Sequence, residues 1–290
     1  MNTSINPLWP SIKNLSKHLN LLNGLIAHLD FLLDDFREKV AKTLTEKNLD
    51  TSILYSGSRL AITDLNKFNG GHFFFGPKEV MFKAEGEEYF QMVDALIQRE
   101  AAWTVAHGYE SFNTFIDEIA ASYLVTHNNT VDEKMLKRLD KYNGRVSKIQ
   151  PAEFSYWKDY STFIGCKDAL ALLRRIDSKQ EITRIENHNN RKIKLAEWLN
   201  AAYLVRNATV HEYAIIPTGE IEKWPKKTID MLHSYFPGVY KENGYILQLE
   251  VEHARDAIQL FAEYAYIIFR SLSLFQGYRC EFTDNEINLS

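Results

Sequence analysis

Two interleaved apolar series near the start of the chain constrain its fold more than any other feature of the sequence. Each series recurs every seven residues: Ile12, Leu19, Ile26, Leu33 and Val40 form the first, and Leu15, Leu22, Leu29 and Phe36 form the second. This spacing is typical of a long helix with one apolar stripe. Pro10 blocks extension upstream and Ser11 can cap the start, so we predict a helix over 11–47, about 50 Å long and the longest element.

Two arrangements can bury an apolar stripe with this repeat: a coiled-coil dimer, and an antiparallel bundle in which this is one helix. The sequence contains no second heptad segment, and Gly24 lies inside the repeat, so the bundle is favoured. In both structures we expect the second series to be buried, because exposing a Leu-sized side chain forfeits about 1.5–3 kcal/mol.

Apolar residues return at helical spacing along most of the remaining chain. The predicted helices cover 87–107, 111–126, 133–141, 163–176, 181–213, 228–235 and 252–275. Gly108 is expected to end the first of them, and 187–190 is a weak point within the fifth. The stretch 50–85 is rich in turn signals and is assigned no regular element, with Phe73-Phe-Phe75 expected in the core.

Residues 245–250 are the only good strand candidate. The sequence therefore predicts an all-α fold, a multi-helix bundle with at most a small β element near 245–250. Gln150-Pro151 is the candidate boundary between an N-terminal helical region, 1–150, and a C-terminal helical domain, 151–290.

The composition is that of an ordinary globular protein, with 45% hydrophobic and 25% charged residues and a net charge of −4. Thirteen Gly and seven Pro are few for a turn-rich all-β fold. Cys166 and Cys280 are too few for a disulfide framework or a Cys-rich zinc site. No signal peptide is apparent, and no apolar run approaches the roughly 20 residues of a membrane-spanning helix. We expect a cytoplasmic protein without a membrane partner.

Most of the nine histidines fall on predicted helix flanks, helix ends or turns. No His-Glu-x-x-His pattern, no pair of Glu-x-x-His motifs and no His-x-Glu…Cys-x-x-Cys pattern is present, and the Gly-rich stretches lack the spacing of phosphate-binding loops. The sequence thus indicates no metal site and no cofactor. His211 stands apart, because Arg206 and Asn207 precede it near the end of a predicted apolar helix.

The segment Arg206-Asn207-x-x-x-His211 resembles the Arg-polar-x-x-x-His motif of HEPN domains. The resemblance covers about residues 150–280, where one apolar helix leads into the motif and another follows. It implies a metal-independent endoribonuclease of phage defence or of a toxin–antitoxin system, with Arg206, Asn207 and His211 as catalytic residues. It also implies a homodimer that forms one cleft from two motifs, and a regulatory partner such as an antitoxin.

The residue types themselves suit RNA cleavage by attack of the 2′-hydroxyl. An imidazole can accept or donate a proton near neutral pH, and a guanidinium stays charged beside phosphate oxygens. Residues five apart on an ideal helix are separated by about 140° and about 7.5 Å, so Arg206 and His211 do not converge within one helix. Either the helix frays near His211, or two chains pool their motifs across a two-fold axis.

Basic residues on both sides of the motif are candidates for contact with an RNA backbone. They are Arg191, Lys192, Lys194, Lys223, Lys226 and Lys227. Trp224 lies among them and could stack on a base. Alternatively, these cations are the solvated faces of ordinary helices.

The motif also has interpretations that involve no catalysis. Arg206 could pair with Glu197 or Glu212 at the helix end while His211 caps the helix. A degenerate HEPN domain could bind a nucleotide or a partner without cutting RNA. In a helical interaction module, the heptad helix would be the working surface.

Overall fold

The computed structural model describes residues 6–46, 54–56, 60–63, 72–75, 82–84, 86–127, 153–212 and 214–280. Helices dominate this part of the chain. They are α1 Trp9–Glu46, α2 Gly86–Leu124, α3 Phe154–Ile176, α4 Glu181–Asn187, α5 Leu195–His211, α6 Thr218–Ile221, α7 Lys226–Tyr235 and α8 Val251–Phe275. More than half of the chain is helical, which confirms the predicted all-α fold. None of the described helices is long and apolar enough to cross a membrane.

Short antiparallel strand pairs complete the described structure. Strand β1 Leu54–Ser56 pairs with β4 Phe82–Ala84, and β2 Leu60–Thr63 pairs with β3 His72–Phe75. A three-stranded sheet has the order β5-β7-β6, formed by β5 Ile215–Pro217, β6 Gly238–Lys241 and β7 Gly244–Leu247. The small β element predicted near 245–250 is therefore confirmed, but the other strands were not predicted.

The chain divides into two compact units. One consists of Met1–Ala27 and Gln98–Ser290, and the other consists of His28–Ile97. The predicted boundary at Gln150-Pro151 lies outside the described residues, as does the predicted helix over 133–141. The division into domains 1–150 and 151–290 therefore stays a prediction.

The bounds of helix α1 agree closely with those of the helix predicted over 11–47. However, α1 is not the longest described element, since it has 38 residues and α2 has 39. Two predicted helices, over 87–107 and 111–126, are one continuous helix because α2 passes through Gly108. A Cβ at Gly108 would lie 2.8 Å from Ile258 Cδ1 and 3.0 Å from Phe261 Cδ2. The glycine therefore allows α8 to approach α2 closely, and it does not cap a helix end.

Burial along α1 follows the boundary between the two units. Ile12, Leu15, Leu19 and Ile26 are buried, and all of them belong to the larger unit. In the second series, Leu22 and Leu29 are only half-buried, and Phe36 is 44% exposed. The expectation that the whole second series is buried is wrong for the single chain, because the stripe continues into a unit that does not cover it completely.

Large aromatic side chains form the core of the larger unit. Trp198 of α5 lies 4.8 Å from Phe261 of α8, and Phe112 of α2 lies 5.6 Å from the same ring, measured between ring centroids. Helix α5 also packs on α7 and on β5. The core thus holds α5 between the other helices and leaves one of its faces at the surface.

A buried carboxylate links three of these helices. Glu186 of α4 accepts two hydrogen bonds of 2.9 Å from Arg174 Nε of α3, one at each carboxylate oxygen, and another from the Tyr264 hydroxyl of α8. A buried charge costs free energy unless it is paired in this way. This network therefore fixes the position of the short helix α4.

The predicted helix over 181–213 is two helices, because the chain breaks after Asn187. The Asn189 amide replaces the helical hydrogen bonds at the break: its Nδ2 donates to the carbonyls of Ile185 and Ile193, and its Oδ1 accepts from the Ile193 N–H. Asn side chains favour this kind of competition with helical bonding. The weak point identified at 187–190 is a helix boundary.

Helix α3 begins nine residues before the predicted 163–176 and contains Gly165 in a non-helical conformation, with φ of 80°. The predicted helices over 228–235 and 252–275 are confirmed as α7 and α8.

Candidate functional site

Helix α5 carries the predicted motif at its C-terminal end. Arg206 and Asn207 are half-buried, and His211 is the last helical residue and exposed. The helix is regular up to His211, and Ala214 then turns the chain with a positive φ of 65°. In the described structure, no hydrogen bond or ion pair joins Arg206 to His211. The helix does not fray before His211, so fraying does not bring these two side chains together.

The Arg206 guanidinium has two partners. Its Nε donates a hydrogen bond to Glu110 Oε1 of α2, and its Nη1 donates to Asn207 Oδ1 at 3.0 Å. Glu110 was not identified from the sequence, because it lies 96 residues away from Arg206. The proposed partners Glu197 and Glu212 are not the ones observed, and Glu197 instead accepts a hydrogen bond from the Thr228 hydroxyl.

The motif belongs to one exposed face of α5. Five side chains span an arc of about 140° around α5, with Arg206 and His211 at its two edges: Tyr203, Arg206, Asn207, Val210 and His211. Tyr203, Val210 and His211 are exposed on it. We call these five residues the motif face.

A second exposed row lies on α2. Trp103, His107 and Glu110 recur at helical spacing, and the Trp103 and His107 rings are 5.7 Å apart. His107 was interpreted as a helix-end residue, but it lies inside the continuous helix α2. The ion pair between Glu110 and Arg206 joins this row to the motif face.

Aromatic rings flank the motif face. Tyr109 lies 5.9 Å from Tyr203, and Tyr203 lies 6.1 Å from Trp224, between ring centroids. Burial raises the pKa of Tyr109 far above its ordinary value, and nearby Cys166 and Tyr203 add to the effect. The Tyr109 hydroxyl therefore stays protonated across the physiological pH range.

The predicted RNA-binding cations fall into two groups. Lys223, Lys226 and Lys227 surround the start of α7, and all three are exposed. Lys223 forms an ion pair with Glu220. Trp224 places this group near Tyr203 and hence near the motif face.

The other three cations, Arg191, Lys192 and Lys194, lie in the loop before α5. Arg191 pairs with Glu263 at 2.7 Å, and Lys194 Nζ donates to the Asn187 carbonyl at 2.8 Å. Lys194 and Arg206 are 12 positions apart, about 18 Å along a helix axis. The structure therefore places this group at the opposite end of α5 from the motif.

A buried acid lies between α2 and α3. The Asp117 carboxylate accepts a 3.0 Å hydrogen bond from the Thr162 hydroxyl, and its other oxygen has no partner among the described residues. Burial raises the pKa of Asp117 from 3.8 to about 6 and the pKa of the Cys166 thiol to about 12. The sequence alone indicates no pKa shift for either group, because nothing in the local pattern reports its burial.

Comparison with known proteins gives no further evidence on the role of this site. No family model, curated protein or solved structure matches the chain. The resemblance to HEPN domains thus depends on Arg206, Asn207 and His211 and on their place at the end of α5. Within the described residues, no group of three or more His, Cys, Asp or Glu side chains is placed to hold a metal ion.

Proposed function

We propose that this protein is a metal-independent endoribonuclease of the HEPN type that acts in phage defence or in a toxin–antitoxin system. One observation carries the proposal: the C-terminal end of α5 presents an oriented guanidinium, Arg206, and, five residues later, an exposed imidazole, His211. These groups supply what cleavage of RNA through its 2′-hydroxyl needs, an acid or base and a fixed cation.

The hydrogen bonds of Arg206 favour a role in phosphate binding. Nε is taken by Glu110 and Nη1 by Asn207, whereas Nη2 has no hydrogen bond among the described residues. A guanidinium held in this way keeps donors for a phosphate oxygen and loses little side-chain freedom when it binds. Asn207 then acts by orienting Arg206, and His211 acts as general acid or base.

A homodimer would complete the site. Arg206 and His211 lie at different azimuths on a regular helix, about 140° apart, so one chain does not converge both on a single phosphate. A two-fold axis beside the motif face would place His211 of one chain near Arg206 of the other. Exposed Tyr203 and Val210 provide apolar surface for such a contact.

A non-catalytic module for helical interaction or nucleotide binding is the second candidate. The observation in its favour is that Arg206 already has a carboxylate partner in Glu110, so its charge is satisfied without a ligand. In that case the motif face would bind a partner or a nucleotide and leave RNA intact.

Cleavage of single-stranded RNA in the presence of EDTA separates the two candidates. The proposed enzyme should give products with a 2′,3′-cyclic phosphate or 3′-phosphate and should leave DNA intact, since DNA has no 2′-hydroxyl. His211→Ala should lose about 10²–10⁴-fold of the rate. The control is His18→Ala, which removes an exposed imidazole of α1. Full activity of His211→Ala, or cleavage only with added metal ions, would contradict the proposal.

A further inference from the structure

A cleft of about 440 Å³ lies where the turn after α3, helix α4 and the start of α5 meet. Four of its lining side chains are cationic or carry an imidazole: Lys179, Arg184, His188 and Lys194. The remaining lining residues are polar and uncharged, and all of the lining residues are exposed to solvent. The volume is in the range of pockets that hold small ligands.

The charge of this cleft is unusual for a chain with a net charge of −4. No carboxylate is among its lining residues. Arg184 pairs with Glu181 at 3.3 Å, but among the described residues neither Lys179 nor Lys194 has an ion pair. Like charges placed together raise the electrostatic energy of the folded chain, and an anion from solution would lower it.

Some cations elsewhere in the described structure are paired with carboxylates of another helix. Examples are Lys158 with Glu118 at 2.8 Å and Arg191 with Glu263 at 2.7 Å. Lys194 instead donates to a backbone carbonyl, that of Asn187, which holds its ammonium at the edge of the cleft without neutralising it. The positive charge of the cleft is thus not cancelled within its own lining.

The walls of the cleft are held rigidly by interactions that lie outside it. The Glu186 carboxylate, bonded to Arg174 and Tyr264, anchors α4 from its buried side. The Asn189 amide fixes the loop that leads into α5. A site held in place before binding loses little conformational entropy when a ligand arrives.

We propose that this cleft binds the phosphate groups of a phosphorylated ligand, either a small phosphate ester or the backbone of RNA. The Arg184 guanidinium and the ammonium groups of Lys179 and Lys194 match the charge and hydrogen-bonding of phosphate oxygens, and the Thr183 hydroxyl adds a neutral donor. Because the cleft lies at the opposite end of α5 from Arg206, this proposal does not depend on ribonuclease activity.

Binding of two probes to the full-length protein tests the proposal and separates the two sources. Isothermal titration calorimetry measures the binding of inorganic pyrophosphate, and fluorescence anisotropy measures the binding of a labelled single-stranded RNA. Lys179→Gln combined with Arg184→Gln should weaken each probe that binds by about tenfold or more, since each change removes a charge-assisted hydrogen bond. Lys167→Gln combined with Arg255→Gln removes the same charge at exposed positions outside the cleft and should have little effect.

Each result has a definite meaning. If the cleft variant binds only pyrophosphate more weakly, the cleft is assigned to a small phosphate ester. If it binds only RNA more weakly, the cleft is assigned to an RNA backbone. Weakening of both, with mutual competition, shows that one phosphate site accepts either. The proposal is overturned if neither probe binds more tightly than about 1 mM, or if the control variant loses as much affinity as the cleft variant.

A measurement on the unmodified protein keeps the test independent of the variants' folding. Saturating pyrophosphate or RNA should slow chemical acetylation of Lys179 and Lys194 and leave the rate at Lys167 unchanged. Equal rates at all three lysines with and without both probes would contradict binding in the cleft.

Discussion

Glu110 of α2 accepts a hydrogen bond from Nε of Arg206 on α5, although the two residues are 96 positions apart in the chain. The contact joins an exposed row on α2 to the motif face and sets the plane of the guanidinium. Glu110 follows Tyr109, whose ring contacts Phe261 of the core, so the carboxylate is positioned by a well-packed neighbour. The orientation of Arg206 is therefore determined by the packing of α2 on α5 and α8.

Glu110→Gln should slow RNA cleavage by about tenfold, mainly through kcat, because a neutral amide binds the guanidinium more weakly and leaves it less well oriented. The free energy of unfolding should change by no more than about 1 kcal/mol, since the ion pair is partly exposed. Glu100→Gln, which removes a surface ion pair with Arg99 on the same helix, is the matched control and should leave kcat unchanged. A faster Glu110→Gln enzyme would mean that Glu110 competes with phosphate for Arg206.

Arg206→Lys should also impair cleavage, by about 10²-fold or more, although it keeps the positive charge. An ammonium cannot bond Glu110, Asn207 and a phosphate oxygen with the planar geometry of a guanidinium. Single-turnover cleavage rates measure the effect, and Lys167→Arg, an exchange of cation type at an exposed position of α3, serves as the control. Wild-type rates in Arg206→Lys would remove the guanidinium from the proposed mechanism.

Gly108→Ala should destabilise the fold by about 1–3 kcal/mol, because the new methyl group overlaps the Ile258 and Phe261 side chains of α8. Gly24→Ala makes the same change on α1, where nothing lies within 4 Å of the added carbon. That variant should be neutral or stabilising by up to about 1 kcal/mol, since alanine favours helix. Chemical denaturation compares the two variants, and equal effects would show that Gly108 is not a close-packing position.

Local sequence patterns were sufficient for most of the helices. The heptad series identifies α1, and the apolar spacing after Glu250 identifies α8, because each helix reports its own buried face. Gly108 was misread as a helix end, since its role depends on residues of α8 that are 150 positions or more away in sequence. The short strands were missed for a related reason: their hydrogen bonds come from partners elsewhere in the chain, and a strand of three or four residues has little pattern of its own.

The candidate site was predictable only in part. Arg206, Asn207 and His211 were found because their spacing is visible within one helix. Glu110, Tyr109 and Tyr203 became visible only when α2 was packed beside α5. The role of Asn189 was predictable in part. An Asn-rich stretch indicates a weak helix, but it does not show that one amide replaces the broken hydrogen bonds.

Asp117→Asn should stabilise the protein at neutral pH. The carboxyl has its ordinary value of 3.8 as the reference for the unfolded chain, and burial raises its pKa to about 6 in the folded state. Well below pH 3.8 both states are protonated and no penalty exists. Between about pH 3.8 and 6 the unfolded chain ionises more readily than the folded chain, so the penalty grows with pH, and above about pH 6 both states are ionised and the penalty levels off. The substitution should therefore add about 2–3 kcal/mol to the free energy of unfolding at pH 7 and little near pH 4.

Denaturant titrations of wild type and Asp117→Asn at both pH values measure this difference. The amide oxygen of Asn can still accept the hydrogen bond from Thr162, and any cost of burying the new NH2 group is the same at both pH values, so the difference between the two pH values isolates the charge. Asp168→Asn, which removes a carboxylate on the exposed side of α3, is the control. A stabilisation of the same size at pH 4 and pH 7 would be inconsistent with a raised pKa at Asp117.

If two chains together form one cleft, dimerisation and activity should be lost together. Val210→Asp places a charge on the motif face, where the wild-type side chain is 39% exposed, and should convert a dimer of about twice 33.7 kDa into a monomer without cleavage activity. Val239→Asp on β6, where valine is 37% exposed, is the matched control and should stay dimeric and active. Sedimentation velocity at micromolar concentration measures the mass.

Mixing two inactive proteins then tests whether one cleft uses both chains. In a mixed dimer of Arg206→Ala and His211→Ala, one chain still supplies an imidazole and the other still supplies a guanidinium. If the cleft pairs His211 of one chain with Arg206 of the other, the mixture should regain part of the wild-type rate, since about half of the dimers formed by random exchange are mixed and each retains one complete pair. A mixture that exchanges subunits and remains as inactive as its components would require both groups from the same chain, and the dimeric mechanism would be wrong.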